Sequence, residues 1–488
     1  MTAQNLLIIM VDEMAAQAVG CYGHPVVKTP HIDRLAAQGV RFTNAYSSSP
    51  ICVPARAAFA TGQYPHKTGY WDNVFAYDGQ VKGWGHRLQE SGNRFTTIGK
   101  LHYQDEDVNT GIDEQILPMH IYGGGDIFGL ERETPPKRPQ SASVAAEVAV
   151  GESQYTRYDK KISALTEEWF DTRMDDQGDK PWVCFSSFIA PHFPFTVPQK
   201  YIDLYDADDV KLSKKPLNLK LSIAPWWDLL TFGYNFDEHF KGDDHRRQAL
   251  LHYYALCSFA DENVGRVLDA LEASGQADNT VVMFLSDHGD NMGTRGLWGK
   301  SNMYEESACV PLIMSGPGFA AGAVCETPVG LIDAYQTVLD VVGIEPTEVE
   351  STLPGRSLVE IAAAPYDAIR TVFAEYHASC APTGLLMLRQ GKFKYIQYTG
   401  HGLELFDLEA DPDEINDLAD DPAYADVLAG FDHALRAILD PEKADHEAKT
   451  LQRKRLKELG GMASIVANGG VTHTPPPGED VQTIRNLR

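Results

Sequence analysis

Four stretches of this chain are apolar runs of strand length that stop on a charged or imidazole side chain, and this shared ending constrains the fold most. Leu6-Leu7-Ile8-Ile9-Met10-Val11 stops at Asp12-Glu13, and Arg94–Ile98 leads into Gly99-Lys100-Leu101-His102. Trp182–Ile189 leads into Ala190-Pro191-His192, and Thr280–Leu285 into Ser286-Asp287-His288-Gly289. Runs this short and aliphatic suit strands covered on both faces of a parallel sheet. Ligands of such sheets bind beyond the carboxyl ends of the strands, which places Asp12, Lys100, His102, His192, Asp287 and His288 at one functional edge. One such residue is unremarkable, and Asp12 alone reads equally well as a solvated turn aspartate. Four strands delivering them at the same end exceed what packing selects, because buried charge must be paired or bind a metal.

Helical patterns alternate with these runs. Thr29–Gly39 has Thr and Pro at its start and Gly at its end, and Gln248–Ser274 carries a periodic apolar face before Gly275. Val40–Tyr46 reads as a further short strand. Strand–helix alternation predicts an α/β fold with a large mixed, mostly parallel sheet flanked by helices over residues 1–370. From 371 to 459 short strands separated by Gly and Asp-Pro turns predict a small antiparallel sheet, then a charged helix over about 421–439. Residues 460–488 contain Gly460-Gly461, Gly469-Gly470 and Pro475-Pro476-Pro477, and read as frayed or as an arm on a neighbouring subunit. Two insertions interrupt the pattern. Residues 120–160 read as a long loop. Residues 201–245 carry Trp226-Trp227, Phe232, Tyr234 and Phe236, aromatics suited to a pocket rim or an oligomer contact.

Charge narrows the class of partner. A net charge of −26 with no basic stripe argues against nucleic acid or an anionic membrane, so an anionic substrate must be held by a local positive cluster. The seven cysteines are scattered without C-x-x-C spacing, which reads as reduced thiols. No signal peptide pattern and no long apolar run is evident, so the expected location is cytoplasmic.

One motif names a chemistry. In Ser49-Pro50-Ile51-Cys52-Val53-Pro54-Ala55-Arg56-Ala57-Ala58-Phe59-Ala60-Thr61-Gly62, Pro54 suits a first helical turn, the alanines continue it and Gly62 ends it. Cys52 then sits at a helix N-terminus, where an anion is favoured, with Arg56 one turn on. C-x-P-x-R arises by chance in roughly 2% of such chains. With Asp12, Lys100-x-His102, Pro191-His192, Asp287-His288-Gly289 and Lys300 in the same order, the chain resembles the sulfatases of the alkaline phosphatase superfamily over about residues 5–410. The Asp287-His288 pair and Trp71-Asp72-Asn73 are similar to the choline-sulfatase and phosphonate monoester hydrolase branch.

The resemblance implies that Cys52 is converted to formylglycine by a formylglycine-generating enzyme, and that the hydrated aldehyde is the nucleophile. It implies one divalent cation, calcium with manganese as alternative, held by Asp12, residue 52, Asp287 and His288. Many relatives have Asp where Glu13 stands, so Glu13 is not expected to be a ligand. Arg56 would hold the hydrate, Lys100 and Lys300 the ester oxygens, and His192 would protonate the leaving oxygen. His102 would deprotonate the second hydroxyl to release sulfate, and Asn73 would contact a substrate oxygen. His66 and Glu305 are assigned supporting roles. The substrate expected is a small anionic ester, an aryl-tolerant sulfate monoester, with phosphonate monoesters or phosphodiesters as the alternative. A non-catalytic anion binder with an unmodified Cys52 is a third reading. The tail and family habit imply a homo-oligomer, dimer or tetramer.

Overall fold

In the computed structural model, residues 3–138, 140–173, 178, 180–468 and 474–481 are described. Their largest sheet has eight strands: β1 (Asn5–Asp12), β2 (Gly39–Phe42), β3 (Phe95–Lys100), β4 (Glu114–Met119), β5 (Val183–Pro191), β6 (Thr280–Ser286), β7 (Leu312–Ser315) and β8 (Ala323–Cys325). The spatial order is β8-β2-β7-β6-β1-β5-β3-β4. Neighbours run parallel except β7, antiparallel to both β6 and β2.

β1 shows why the sheet must be covered twice. Its residues are all buried, and alternate side chains enter different cores. Leu7, Ile9 and Val11 pack with α1 (Pro30–Gln38), α3 (Gln154–Thr172) and α4 (Asp243–Ala273). Leu6, Ile8 and Met10 pack with α2 (Cys52–Thr61) and α5 (Asp333–Val342). A strand with period-two side chains and no polar face is stable only when both layers exist.

The expected strand over 40–46 is split. Gly39–Phe42 joins the large sheet, whereas Ala45–Tyr46 pairs with Val329–Gly330. Beyond it, β9 (Thr371–Tyr376), β10 (Leu385–Gln390), β11 (Phe393–Tyr398) and β12 (Gly402–Asp407) form an antiparallel sheet in sequence order. The helix expected near 421–439 spans Ala425–Ile438, and a second, α6 (Pro441–Glu458), follows it. Asp440 starts α6 by accepting from the Lys443 N–H.

The two insertions are more ordered than their composition suggests. Residues 120–160 include the helical pieces Ile127–Leu130 and Ser141–Ala146 before α3 begins. Trp226 and Trp227 lie on a helix, Ala224–Tyr234, and are core residues, not a rim or a subunit contact. The Trp226 indole N–H donates to Thr383 O at 3.1 Å and that of Trp227 to Tyr398 Oη at 3.1 Å, tying the insertion to the C-terminal sheet. Phe232 is half-exposed. At the tail, Gly461–Asn468 is helical, and the stretch 474–481 lies on this chain's own α3. There Tyr155 Oη donates to Thr474 O at 3.0 Å and Arg157 pairs with Glu479 at 2.8 Å. Residues 469–473 and 482–488 of the predicted arm lie outside the described residues. No described helix is long and apolar enough to cross a membrane.

Candidate active site

The four strand ends meet where the sequence placed them. Asp12 is the last residue of β1, Asp287 and His288 follow β6, and Cys52 opens α2 from the side. All four are buried, and one donor atom from each lies within 4.8 Å of the others. Cys52 Sγ is 3.1 Å from His288 Nε2 and 3.6 Å from Asp12 Oδ1. Two buried carboxylates, an imidazole and a sulfur converging on one point are a cation's donor set; without a counter-charge they would be costly to bury. None of the seven cysteines is disulfide-bonded.

Positive charge surrounds this cluster. Arg56 is 2% exposed. Its Nε donates to Asp287 Oδ2 at 2.7 Å, and its Nη1 to Lys100 O at 2.9 Å and Ser187 Oγ at 2.8 Å. Its Nη2 is 3.6 Å from Asp12 Oδ2 and has no hydrogen-bond partner among the described residues. Burial works against ionisation of Asp287, yet Arg56 and then His288 hold it at about 2. Lys100 Nζ contacts Asp12 Oδ2 closely, and burial brings its pKa down to about 7. Burial puts the Cys52 thiol at about 12, so as a thiol it is protonated and a poor nucleophile at neutral pH.

Two histidines flank residue 52. His102 lines the same pocket, is buried, and neither ring nitrogen has a partner among the described residues; burial keeps it neutral, well below the ordinary imidazole value. A buried imidazole with both nitrogens unpaired is uncommon unless something else occupies the pocket. His192 Nδ1 faces Phe193 O at 2.6 Å and Nε2 faces Glu13 Oε2 at 3.1 Å. Burial, then Lys300, pushes His192 down, while burial pushes Glu13 well up. Both shifts leave one proton between them. Lys300 donates to the same Glu13 oxygen at 2.6 Å, and although burial works against its charge its pKa is raised above the ordinary lysine value.

Glu13 is therefore the bracket between Lys300 and His192, a position its sequence context did not reveal. Asp12, Glu13 and His192 also bring donor atoms within 4.8 Å of one another. Asn73 lines the pocket, and its Oδ1 accepts from Val53 N at 3.1 Å. His66 and Glu305 lie outside the pocket lining, bonded to Glu375 and Lys394 respectively.

Sequence reasoning missed most of the pocket walls. Tyr122, Tyr155, Phe193, Tyr234 and Phe236 surround the mouth, with Arg138 and Asp126 paired at 2.6 Å. Of these, Tyr234 and Phe236 belong to the insertion whose aromatics the sequence suits to a pocket rim or an oligomer contact, and both line the pocket. The others carry no periodic signal, because loops fold against the scaffold rather than by their own pattern.

Comparison with known proteins agrees with this geometry. The family model described as Sulfatase matches residues 4–344, and that described as N-sulphoglucosamine sulphohydrolase, C-terminal, matches 293–440. The chain is 31% identical over 463 residues to a choline-sulfatase of Rhizobium meliloti, covering 92% of this chain and 90% of that one. It is 30% identical to arylsulfatase K of Danio rerio, covering 89% and 84%. Among solved structures, a phosphonate monoester hydrolase of Agrobacterium radiobacter superposes with a TM-score of 0.72 at 23% identity, covering 89% of this chain and 95% of that chain. A second, solved with its substrate D-glucosamine-2-N,6-O-disulfate, superposes at 0.71 and 23% identity, covering 92% and 99%.

Proposed function

Because this chain belongs to the sulfatase family and is a sulfuric ester hydrolase, we propose that it cleaves small sulfate monoesters using a formylglycine made from Cys52 and one divalent cation, calcium or manganese. The observation that carries the reading is the convergence of Asp12, Cys52, Asp287 and His288 inside a ring of Arg56, Lys100, Lys300, His102 and His192. Asp12, Asp287, His288 and residue 52 would hold the cation. The cation and the hydrated aldehyde together supply charge neutralisation and a hydroxyl nucleophile at neutral pH.

The side chains divide the remaining work. A sulfate ester is anionic, so its oxygens need fixed positive groups before a nucleophile can approach. Lys300 and Lys100 supply them, and Arg56 holds Asp287 ionised while its Nη2 stands 3.6 Å from Asp12. His192, sharing a proton with Glu13, gives that proton to the departing oxygen. His102, neutral and unpaired, takes a proton from the second hydroxyl of residue 52 so that sulfate leaves and the aldehyde is restored. Asn73 fixes the Val53 amide beside the nucleophile. The aromatic mouth suits an aryl or small alkyl leaving group.

Asn73 and the Asp287-His288 pair favour a second reading, a phosphonate monoester or phosphodiester hydrolase using the same site. Catalytic efficiencies on an aryl sulfate and an aryl phosphonate monoester, with the Cys52 peptide weighed by mass spectrometry, test both. Sulfate turnover proportional to formylglycine content is expected. A much higher phosphonate efficiency would reverse the order, and full activity with an intact thiol would refute the nucleophile.

A further inference from the structure

The loop that carries Asn73 is held from behind by the C-terminal helix. Asp72 is 3% exposed; its Oδ1 accepts from Val74 N at 2.8 Å and its Oδ2 from Gln452 Nε2 at 2.7 Å. Gln452, on α6, is 1% exposed and gives its other amide proton to His377 O at 2.7 Å. Its Oε1 accepts from Arg132 Nη1 at 3.3 Å, and Arg132 is fixed in turn by Asp445 at 2.8 Å and Ala381 O at 2.7 Å. The amide can adopt only one orientation: flipped, it would set an N–H against the guanidinium and an oxygen against the His377 carbonyl. The front of the loop is equally constrained, since Gly125 abuts the Asn73 carbonyl so closely that a Cβ there would lie 1.9 Å from it.

We infer that Gln452, acting through Asp72, is a positioning residue for the hydrolytic reaction: it fixes the loop that places Asn73 Oδ1 on the Val53 amide, and so sets where residue 52 points. Gln452 and Asp72 touch neither the pocket nor the donor cluster, whereas Asn73 lines the pocket. Removing the Gln452 amide leaves Asp72 Oδ2 buried without its donor. The carboxylate must then turn or take up a proton, and Asn73, the next residue, moves with it. A displacement of order 1 Å at a nucleophile is enough to cost about 10²-fold in rate. The C-terminal region is thereby part of the catalytic apparatus rather than an appendage.

This inference rests on the sulfatase reading, and its test separates the two. Gln452→Met and Asp72→Asn are compared with Asp440→Ala, which removes the N-cap of the same helix but touches none of this network. The readouts are kcat per formylglycine-bearing molecule on an aryl sulfate, KM, thermal midpoint, and hydrogen exchange of the Val53 amide, which needs no substrate. Gln452→Met is expected to lower kcat about tenfold with KM within about threefold and to speed exchange at Val53, because orientation of the nucleophile governs kcat. Asp72→Asn, which sets two amide donors against each other, is expected to do the same. Asp440→Ala is expected to lower the midpoint with kcat unchanged. Normal kcat and Val53 protection in either folded network variant would overturn the inference. A wild-type protein inactive on every sulfate ester would instead sink the hydrolase reading, with Val53 exchange still deciding the coupling.

Discussion

Replacing Lys300 with methionine isolates one charge from everything else the site does. Lys300 Nζ lies 2.6 Å from Glu13 Oε2, beneath Phe193 at 5.6 Å from its ring centre, and opens onto the pocket. The fold should tolerate the change, because burial already drives Glu13 toward its neutral form, and a neutral carboxyl does not need the ammonium. Catalysis should not. A donor aimed at charge that develops in a water-poor site is worth about 3–4 kcal/mol, or 10²–10³ in rate. A second signature lies in the pH profile. After burial, Lys300 is the largest influence holding His192 below its ordinary value. Without it the imidazole keeps its proton to higher pH, so the alkaline limb of kcat/KM should move upward. The assay is kcat/KM on aryl sulfates of graded leaving-group acidity from pH 5 to 10, with thermal midpoint as control. A loss smaller than about tenfold, or an alkaline limb that moves down, would refute this account of the site.

Three further outcomes follow from the same geometry. Arg56→Met removes the partner of Asp287; the folded carboxylate lies at about 2, below its unfolded value near 3.9, so the pair's stabilisation of roughly 2–3 kcal/mol is present above pH 4 and fades as pH falls through 2. Denaturant midpoints of the two proteins should therefore differ at pH 7 and converge near pH 2. Chelation should abolish turnover and calcium or manganese restore it, while Asp287→Asn should weaken cation binding by calorimetry at least about tenfold. Trp226→Ala should cost about 3–5 kcal/mol in denaturant unfolding and raise KM, because the helix it anchors also carries Tyr234 to the pocket.

The strand ends were legible because each is a local pattern with a single physical reading: an apolar run, then a charge that needs a counterpart. Asp12, Lys100, Asp287 and His288 are such endings, and the sheet brings them together. Cys52 and Arg56 were legible through helix-start chemistry. Glu13 was not, since its role depends on Lys300 and His192, which are far away in sequence and meet it only in three dimensions. Trp226 and Trp227 were misread as surface aromatics for a related reason: the segment contains no long periodic run, and its burial is decided by the C-terminal sheet, including Tyr398. Gln452 sits on a highly charged helix where nothing local marks it out.

The depth of residue 52 has a consequence for biosynthesis. Cys52 is 2% exposed, set in the first turn of a helix and facing the ends of strands from distant parts of the chain. On the formylglycine reading proposed above, an oxidising enzyme could not grip the peptide around residue 52 once the sheet has closed, so conversion to an aldehyde would have to happen on a nascent or unfolded polypeptide. The activated fraction would then be settled at birth. Chains that fold before being oxidised would become stable, well-formed and permanently silent molecules, and output in a cell would be capped by the supply of that enzyme rather than by the amount of this one.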